Sequence, residues 1–93
     1  MNNKIALESL SMDLLRIAIG MNRGSIKMAE TFQKEAIIRQ SEIKLDLLKP
    51  YMQNIILSLS SLFENKNSNQ KAEYALMYST QIRNYCSHYL TPD

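Results

Sequence analysis

The chain has little of several residue types, and each shortage excludes a class of protein. Its 93 residues include one cysteine, one histidine, two glycines, two prolines and no tryptophan. A single cysteine cannot form an internal disulfide, so the composition does not call for an oxidising compartment. Scarce glycine and proline, with 45% apolar residues, exclude a disordered or collagen-like chain. The sequence therefore predicts one folded helical domain over residues 1–93.

Long apolar runs and a strong charge imbalance are also absent. The longest strongly apolar run, Ile55 to Phe63, is about half of the roughly 20 residues that a membrane helix needs. Three charged residues, Glu8, Asp13 and Arg16, interrupt the N-terminal apolar pattern. The apolar core of a signal peptide would exclude such charges. Eleven basic and nine acidic residues give a net charge of only +2. We expect a soluble, cytoplasmic protein that does not bind membranes, and its charge gives little attraction to nucleic acid.

Apolar residues recur with helical spacing along nearly the whole chain, and no stretch alternates like a strand. This pattern predicts an all-α fold, a small up-and-down bundle of three to four helices. Pro50 lacks a backbone donor and disfavours helical geometry at Lys49, so the second long helix is expected to kink or restart there. A chain of this length buries a thin core, and we expect dimerisation to complete the bundle.

Capping residues mark the helix boundaries. The stretch "NRG" followed by Ser25 is typical of one helix ending at a glycine and the next beginning at a serine. The polar stretch "ENKNSNQK" predicts a loop whose asparagines or serine can cap the last helix. The predicted helices are Asn3 to Asn22, Ser25 to about Lys49, a short helix from Pro50, and about Gln70 to Tyr89 or Leu90, ended by Thr91 and Pro92.

The first helix is apolar on two sides. Its core seam repeats at steps of three and four residues and consists of Leu7, Leu10, Leu14, Ile17 and Met21. A second stripe, Ile5, Met12 and Ile19, lies well round the helix from the first. One neighbour cannot cover both sides. This helix is therefore expected either in the middle of a bundle or between a bundle and a second subunit.

The next two helices each show one apolar seam. The second carries Ala29, Phe32, Ala36, Ile43 and Leu47, and the third carries Met52, Ile55, Ile56, Leu59, Leu62 and Phe63. Arg39 and Gln40 interrupt the second seam. Two interpretations stay open for them: a polar layer that fixes the register of an interface, or long side chains that reach water along their stems.

Four of the five tyrosines share one stripe on the last helix. The stripe consists of Tyr74, Tyr78, Ile82, Tyr85 and Tyr89. Tyrosine combines an apolar ring with a polar tip, which suits the rim of a buried surface or an interface. The rings either edge the bundle with their hydroxyl groups in water, or form a docking face for a second copy or a partner helix.

The same helix carries the only histidine of the chain, and an arginine lies five residues before it. Arg83, Asn84 and His88 form R-N-x-x-x-H, which resembles the R-x4-H signature of HEPN domains, small all-α modules that often act as dimeric RNA-cleaving toxins or their relatives. The resemblance implies a composite site at a dimer cleft. It implies that Arg83 and His88 bind the scissile phosphate and assist attack by the ribose 2′-hydroxyl, helped by Asn84. This chemistry suits a bidentate guanidinium and an imidazole that titrates near neutral pH.

The sequence thus supports two functions from different classes. The first is a small non-enzymatic helical protein that acts through protein contacts as an adaptor, regulator or inhibitor, either as a homodimer or with another protein. Its expected interface residues are Ile5, Met12, Ile19, Tyr74, Tyr78, Ile82, Tyr85 and Tyr89. The alternative is a dimeric ribonuclease with Arg83, Asn84 and His88 as catalytic residues. A nucleic-acid-binding subunit ranks third, and no cofactor or metal is expected, since one histidine and one cysteine make a poor ligand set.

Overall fold

A computed structural model describes residues 2–90 as an all-α arrangement of four helices, with no strand in that range. The helices are α1 (Asn3–Asn22), α2 (Ile26–Glu42), α3 (Pro50–Glu64) and α4 (Ser68–Tyr89), and a single 3-10 turn, Leu45–Leu47, lies between α2 and α3. The predicted all-α class and the predicted bounds of the first helix are confirmed. The last helix begins two residues before the predicted Gln70, and the predicted stop at Thr91 and Pro92 lies outside the described range.

The predicted N-caps form the expected hydrogen bonds. Asn2 Oδ1 accepts from the Ile5 N–H at 2.9 Å, and Ser25 Oγ accepts from the Met28 N–H at 3.4 Å. Asn67 does the same for α4, accepting from the Gln70 N–H at 3.0 Å. Each bond satisfies a donor that the first helical turn leaves without a partner. Between α1 and α2, Gly24 has a φ of +74°, which only glycine adopts easily.

Helix α1 is the central helix, since it packs along both α2 and α4. Gly20 lets α2 come close, because a Cβ atom at this position would lie 2.9 Å from the backbone nitrogen of Ala29. On the other side, Ser79 Oγ of α4 donates to the carbonyl of Ser11 at 2.7 Å. The predicted α1 seam is confirmed: Leu7, Leu10, Leu14 and Ile17 are fully buried, and Met21 packs at the edge of the core.

Helix α2 ends seven residues before the predicted end, so the predicted kink of one long helix at Pro50 is wrong, whereas the predicted start of a helix at Pro50 is confirmed. The reason is the length of α1, along which α2 runs back until it reaches the first turn of α1. There Asn3 fixes the chain by two hydrogen bonds to the Lys44 backbone, its Nδ2 donating to the carbonyl at 2.9 Å and its Oδ1 accepting from the N–H at 2.8 Å. A longer α2 would have no α1 to pack against. Pro50 instead occupies the first turn of α3, where its missing N–H costs nothing.

The segment between α2 and α3 changes which leucine is buried. Leu47, predicted on the α2 seam, is 66% exposed, whereas Ile43 and Leu48 point into the core. The chain leaves helical geometry at Ile43, whose φ and ψ are those of extended backbone, so the spacing of three and four no longer applies beyond it. The rest of the predicted α2 seam holds, with Ala29 and Ala36 buried and Phe32 against the core.

Helix α3 closes the core with the seam that the sequence predicted. Met52, Ile56, Leu59 and Leu62 are buried, and Ile55 and Phe63 pack beside them. Gln40 of α2 donates from Nε2 to the Ile56 carbonyl at 2.8 Å, and Lys71 of α4 donates from Nζ to the Phe63 carbonyl at 3.1 Å. These bonds hold α3 from both neighbouring helices. Within residues 2–90, no helix has the length and apolar character needed to cross a bilayer.

Candidate functional site

One exposed apolar feature is the outer face of α1, which we define by Ile5, Met12, Leu15 and Ile19. The core seam occupies the opposite side of the helix, so this face points away from the core. Ile5 is 49% exposed and Met12 is 40% exposed, while Leu15 and Ile19 are half-buried. The sequence correctly placed this stripe apart from the core seam.

Helix α4 widens the outer face of α1. A shallow groove of about 140 Å³ between the two helices is lined by Lys4, Glu8, Arg83, Cys86 and Ser87. Because the helices run antiparallel, seven residues forward on α1 correspond to seven residues back on α4. Leu15 therefore lies beside Leu76 and Thr80, as Glu8 lies beside Arg83 and Ser87. Leu76 is itself an exposed leucine, and it extends the apolar surface sideways.

Charged side chains border the outer face on the α2 side. The Arg16 guanidinium carbon lies 5.2 Å from the centre of the Phe32 ring, a cation–π distance. Behind it, Asp13 is buried between α1 and α2, and burial raises the pKa of its carboxyl group, an effect that the nearby Arg39 partly offsets. Arg39 is bound to Glu42 by an ion pair of 2.9 Å. Its Nε atom is buried and has no hydrogen-bond partner among the described residues.

The predicted tyrosine stripe divides into core and surface. Ile82 is fully buried and Tyr85 is 3% exposed, so both are covered within one copy of the chain. Tyr74 and Tyr89 are exposed, and Tyr78 is half-buried against the core. The middle of the stripe is buried because the start of α3 packs against it, where Tyr51 contacts the Tyr85 ring and the Lys49 N–H donates to the Tyr85 hydroxyl group. Only the two ends of the stripe, Tyr74 with Tyr78 and then Tyr89, remain accessible for a contact in this structure.

An open groove of about 600 Å³ lies between α3 and α4. Its lining consists of Tyr51, Ile55, Gln81, Asn84, Tyr85, Ser87, His88 and Tyr89. The rings contact one another: Tyr85 and Tyr89 have centroids 5.0 Å apart, and the His88 ring stands edge-on to Tyr89 at 4.6 Å. The Lys49 ammonium lies 4.8 Å from the centre of the Tyr89 ring. The sequence pattern of α4 missed Tyr51 and Lys49, because they come from the start of α3.

The ribonuclease motif does not form one site within the chain. Asn84 and His88 line the groove between α3 and α4, whereas Arg83 lines the shallow groove between α4 and α1. Five residues along an ideal helix correspond to a rotation of about 140°, which places Arg83 and His88 on different sides of α4. Both side chains are exposed. The two groups that would have to act on one phosphate therefore face different neighbours.

The remaining reactive groups form no cluster. Burial raises the pKa of the Cys86 thiol to about 11, a value at which the nucleophilic thiolate is scarce near neutral pH. Within residues 2–90, no group of three or more histidine, cysteine, aspartate or glutamate side chains is placed to hold a metal ion.

Comparison with known proteins brings no relative: no protein-family model, curated protein sequence or solved structure matches the chain. Its function is therefore argued from the geometry of these surfaces.

Proposed function

We propose that the protein acts through protein–protein contacts, as an adaptor, regulator or inhibitor, and that it carries out no catalysis. The observation that carries the proposal is the double role of α1. One side of this helix is fully buried between α2 and α4, and the other presents Ile5 and Met12 at 49% and 40% exposure. Apolar side chains in a row at the middle of a three-helix layer are typical of a surface that a partner covers.

Spacing along α1 supports this proposal. Ile5, Met12 and Ile19 follow one another at intervals of seven residues, the period with which a helix presents one line of side chains to a second helix. Leu76 extends the line into a broader surface, and charged side chains lie on its borders, as at the rim of an interface. The contact residues that we propose are Ile5, Met12 and Ile19, with two smaller surfaces on α4, one at Tyr74 and Tyr78 and the other at Tyr89. Dimerisation through one of these surfaces is part of the proposal.

A photo-cross-linking experiment in the cell tests the proposal. A benzophenone amino acid at position 12 should give one discrete adduct, and a second substitution, Ile19→Lys, should remove that adduct. Position 57 is the matched control, because Leu57 is also a large apolar residue, 59% exposed, but lies on α3. Absence of an adduct at position 12, or equal labelling at both positions, would contradict the proposal.

The ribonuclease alternative keeps one supporting observation, the shared location of Asn84 and His88 in the α3–α4 groove. It requires that a second copy bring an arginine to that groove, since Arg83 of the same chain lies elsewhere. The purified protein should leave a structured RNA intact if the contact proposal holds. RNA cleavage that disappears in both His88→Ala and Arg83→Ala would favour the enzyme instead.

A further inference from the structure

We propose that the outer face of α1 binds the same face of a second copy, with the two α1 helices antiparallel and a two-fold axis passing at Met12. The inference rests on the proposed function and specifies its partner. It follows from the order of side chains along this face.

Three apolar residues of the face are symmetric about Met12, whereas Leu15 has Ser9 as its counterpart. Ile5 precedes Met12 by seven residues, and Ile19 follows it by seven. When two copies of a helix pair antiparallel around a two-fold axis at Met12, the numbers of opposing residues add up to 24. Ile5 then lies opposite the partner's Ile19, and Met12 lies opposite the partner's Met12. Each apolar side chain of the stripe therefore meets another apolar side chain.

The charged residues of the face are complementary under the same symmetry. Glu8 and Arg16 are each four residues from Met12, which places them about 40° to either side of it on an ideal helix. The antiparallel pairing puts Glu8 of each copy at the same level along the helix axis as the partner's Arg16. The dimer therefore has two such pairs, one on each side of the two-fold axis. Since 40° is a small offset from the seam and both side chains are long, they can meet across it. Parallel helices would instead bring Glu8 to Glu8 and Arg16 to Arg16, an arrangement of like charges.

Both charged groups are available for this contact. The ion pair within residues 2–90 joins Arg39 and Glu42, so neither Glu8 nor Arg16 is in a direct ion pair inside the described chain, although Arg16 is near enough to Asp13 to lower the pKa of that carboxyl group against the larger, opposite effect of burial. Glu8 is exposed, whereas the half-buried Arg16 extends over the Phe32 ring of α2 and would have to turn across the stripe to reach the partner's Glu8. The two ion pairs of the dimer would form without breaking an existing ion pair, although each Arg16 would exchange its contact with Phe32 for the partner's Glu8.

Cysteine cross-linking tests the direction of the helices. In a Cys86→Ala background, which removes the only natural cysteine, separate Ile5→Cys and Ile19→Cys chains are mixed and oxidised. We expect a mixed disulfide between the two variants and little disulfide within either one. Same-position disulfides in each variant would show parallel helices and overturn the inference, as would the absence of any cross-link at the concentration of the wild-type dimer.

Charge exchange tests the register. The wild-type chain should have twice the 10.7 kDa mass of one copy by light scattering. Glu8→Arg and Arg16→Glu should each raise the dimer dissociation constant roughly tenfold, because each places like charges opposite each other at two positions. The double variant Glu8→Arg/Arg16→Glu should recover the wild-type constant. Circular dichroism checks that each variant folds, and Glu64→Arg, an exposed change on α3, is the control. Failure of the double variant to recover would contradict the register.

The two proposals fail in different ways. A wild-type chain that remains a single copy at high concentration, while the probe at position 12 still captures another protein, would overturn the two-fold dimer and support the proposed function. Loss of all adducts at position 12 would overturn both.

Discussion

The hydroxyl group of Tyr85 accepts a hydrogen bond from the backbone N–H of Lys49 at 3.1 Å. Tyr85 is a buried residue of α4, and Lys49 is the residue that precedes the first turn of α3. The bond fixes the start of α3 against α4, and the Tyr51 ring packs edge-on to the Tyr85 ring at 5.8 Å. Tyr85 therefore helps to build the core and the wall of the α3–α4 groove at once.

Replacing Tyr85 with phenylalanine keeps the ring and removes this bond. We expect Tyr85→Phe to lower the free energy of unfolding by about 1 kcal/mol, because the Lys49 N–H loses its partner in a partly buried site. In a domain of this size, that loss corresponds to a fall in Tm of about 4–8 °C. Thermal unfolding followed by circular dichroism gives the measurement. Tyr74→Phe is the matched control, since Tyr74 is exposed on the same helix. Equal Tm values for the two variants would show that the bond adds nothing.

Most of the local structure could be predicted from the sequence. The cap residues Asn2, Ser25 and Asn67 act within three residues of the donors they satisfy, so their role is visible in the sequence itself. The same is true of the α1 seam, because residues spaced by three and four positions share one side of any helix. These features depend on no information from distant parts of the chain.

The wrong predictions concern features that depend on contacts with a distant segment of the chain. After the polar pair Arg39 and Gln40, the apolar seam resumes at Ile43 and Leu47, and the sequence does not show that α2 stops once it reaches Asn3 of α1. Likewise, the pattern of tyrosines in α4 predicts a stripe but not what covers it. Lys49 and Tyr51, at the start of α3, contact Tyr85, and this depends on how the chain turns back after Leu48.

The close approach of α1 and α2 at Gly20 leads to a second prediction. A Cβ atom at position 20 would meet backbone atoms, at 2.9 Å from Ala29 N and 3.2 Å from Ser25 O, and backbone cannot move aside as a side chain can. We expect Gly20→Ala to lower the free energy of unfolding by about 1–3 kcal/mol. The loss would occur although alanine favours a helix over glycine by about 1 kcal/mol.

Urea unfolding measures this effect. Ser9→Ala is the control, because it also introduces alanine into the middle of α1, at a half-buried position away from Gly20. We expect Ser9→Ala to leave the urea midpoint within the range of ordinary surface substitutions, about 0.5 kcal/mol. A Gly20→Ala variant as stable as Ser9→Ala would show that α1 and α2 are further apart than described.

Asp13 predicts how stability depends on pH. Burial raises the pKa of its carboxyl group above 3.8, so the folded chain holds this proton more tightly than the unfolded chain does. The stability that Asp13 contributes is therefore greatest at low pH and is lost as the pH rises from about 3.8 through the raised pKa. At pH 7 the ionised group is a net cost, and Asp13→Asn should raise Tm.

Measuring the Tm of Asp13→Asn at two pH values separates the cost of the ionised carboxyl group from other effects of the substitution. The gain in Tm from Asp13→Asn should be present at pH 7 and should shrink as the pH falls through the raised pKa and below 3.8, where the wild-type carboxyl group becomes neutral in both states. Asp46→Asn, an exposed aspartate in the 3-10 turn, should change Tm little at either pH. A lower Tm for Asp13→Asn at pH 7 would mean that attraction to Arg39 exceeds the cost of burial.

The thiol of Cys86 should report unfolding of the chain. Burial is the main cause that raises its pKa to about 11, with a smaller effect of Glu8, so at pH 8 only about one thiol in a thousand is ionised. We expect a thiol reagent to label the folded protein at least roughly a hundredfold more slowly than the protein in concentrated urea, since both burial and protonation protect the sulfur.

A cysteine at an exposed position provides the control for this measurement. The variant Cys86→Ala/Ser58→Cys carries its thiol on the solvent side of α3 and should react rapidly in the folded state. Rapid labelling of Cys86 in the folded wild-type chain would show that α4 separates from α1 on the time scale of the reaction. Such opening would expose the side of α1 that carries Leu7 and Leu14, and dimer contacts through the outer face of α1 would then compete with contacts through its core seam. Slow labelling is therefore also a condition for interpreting the cysteine cross-links as contacts of the folded protein.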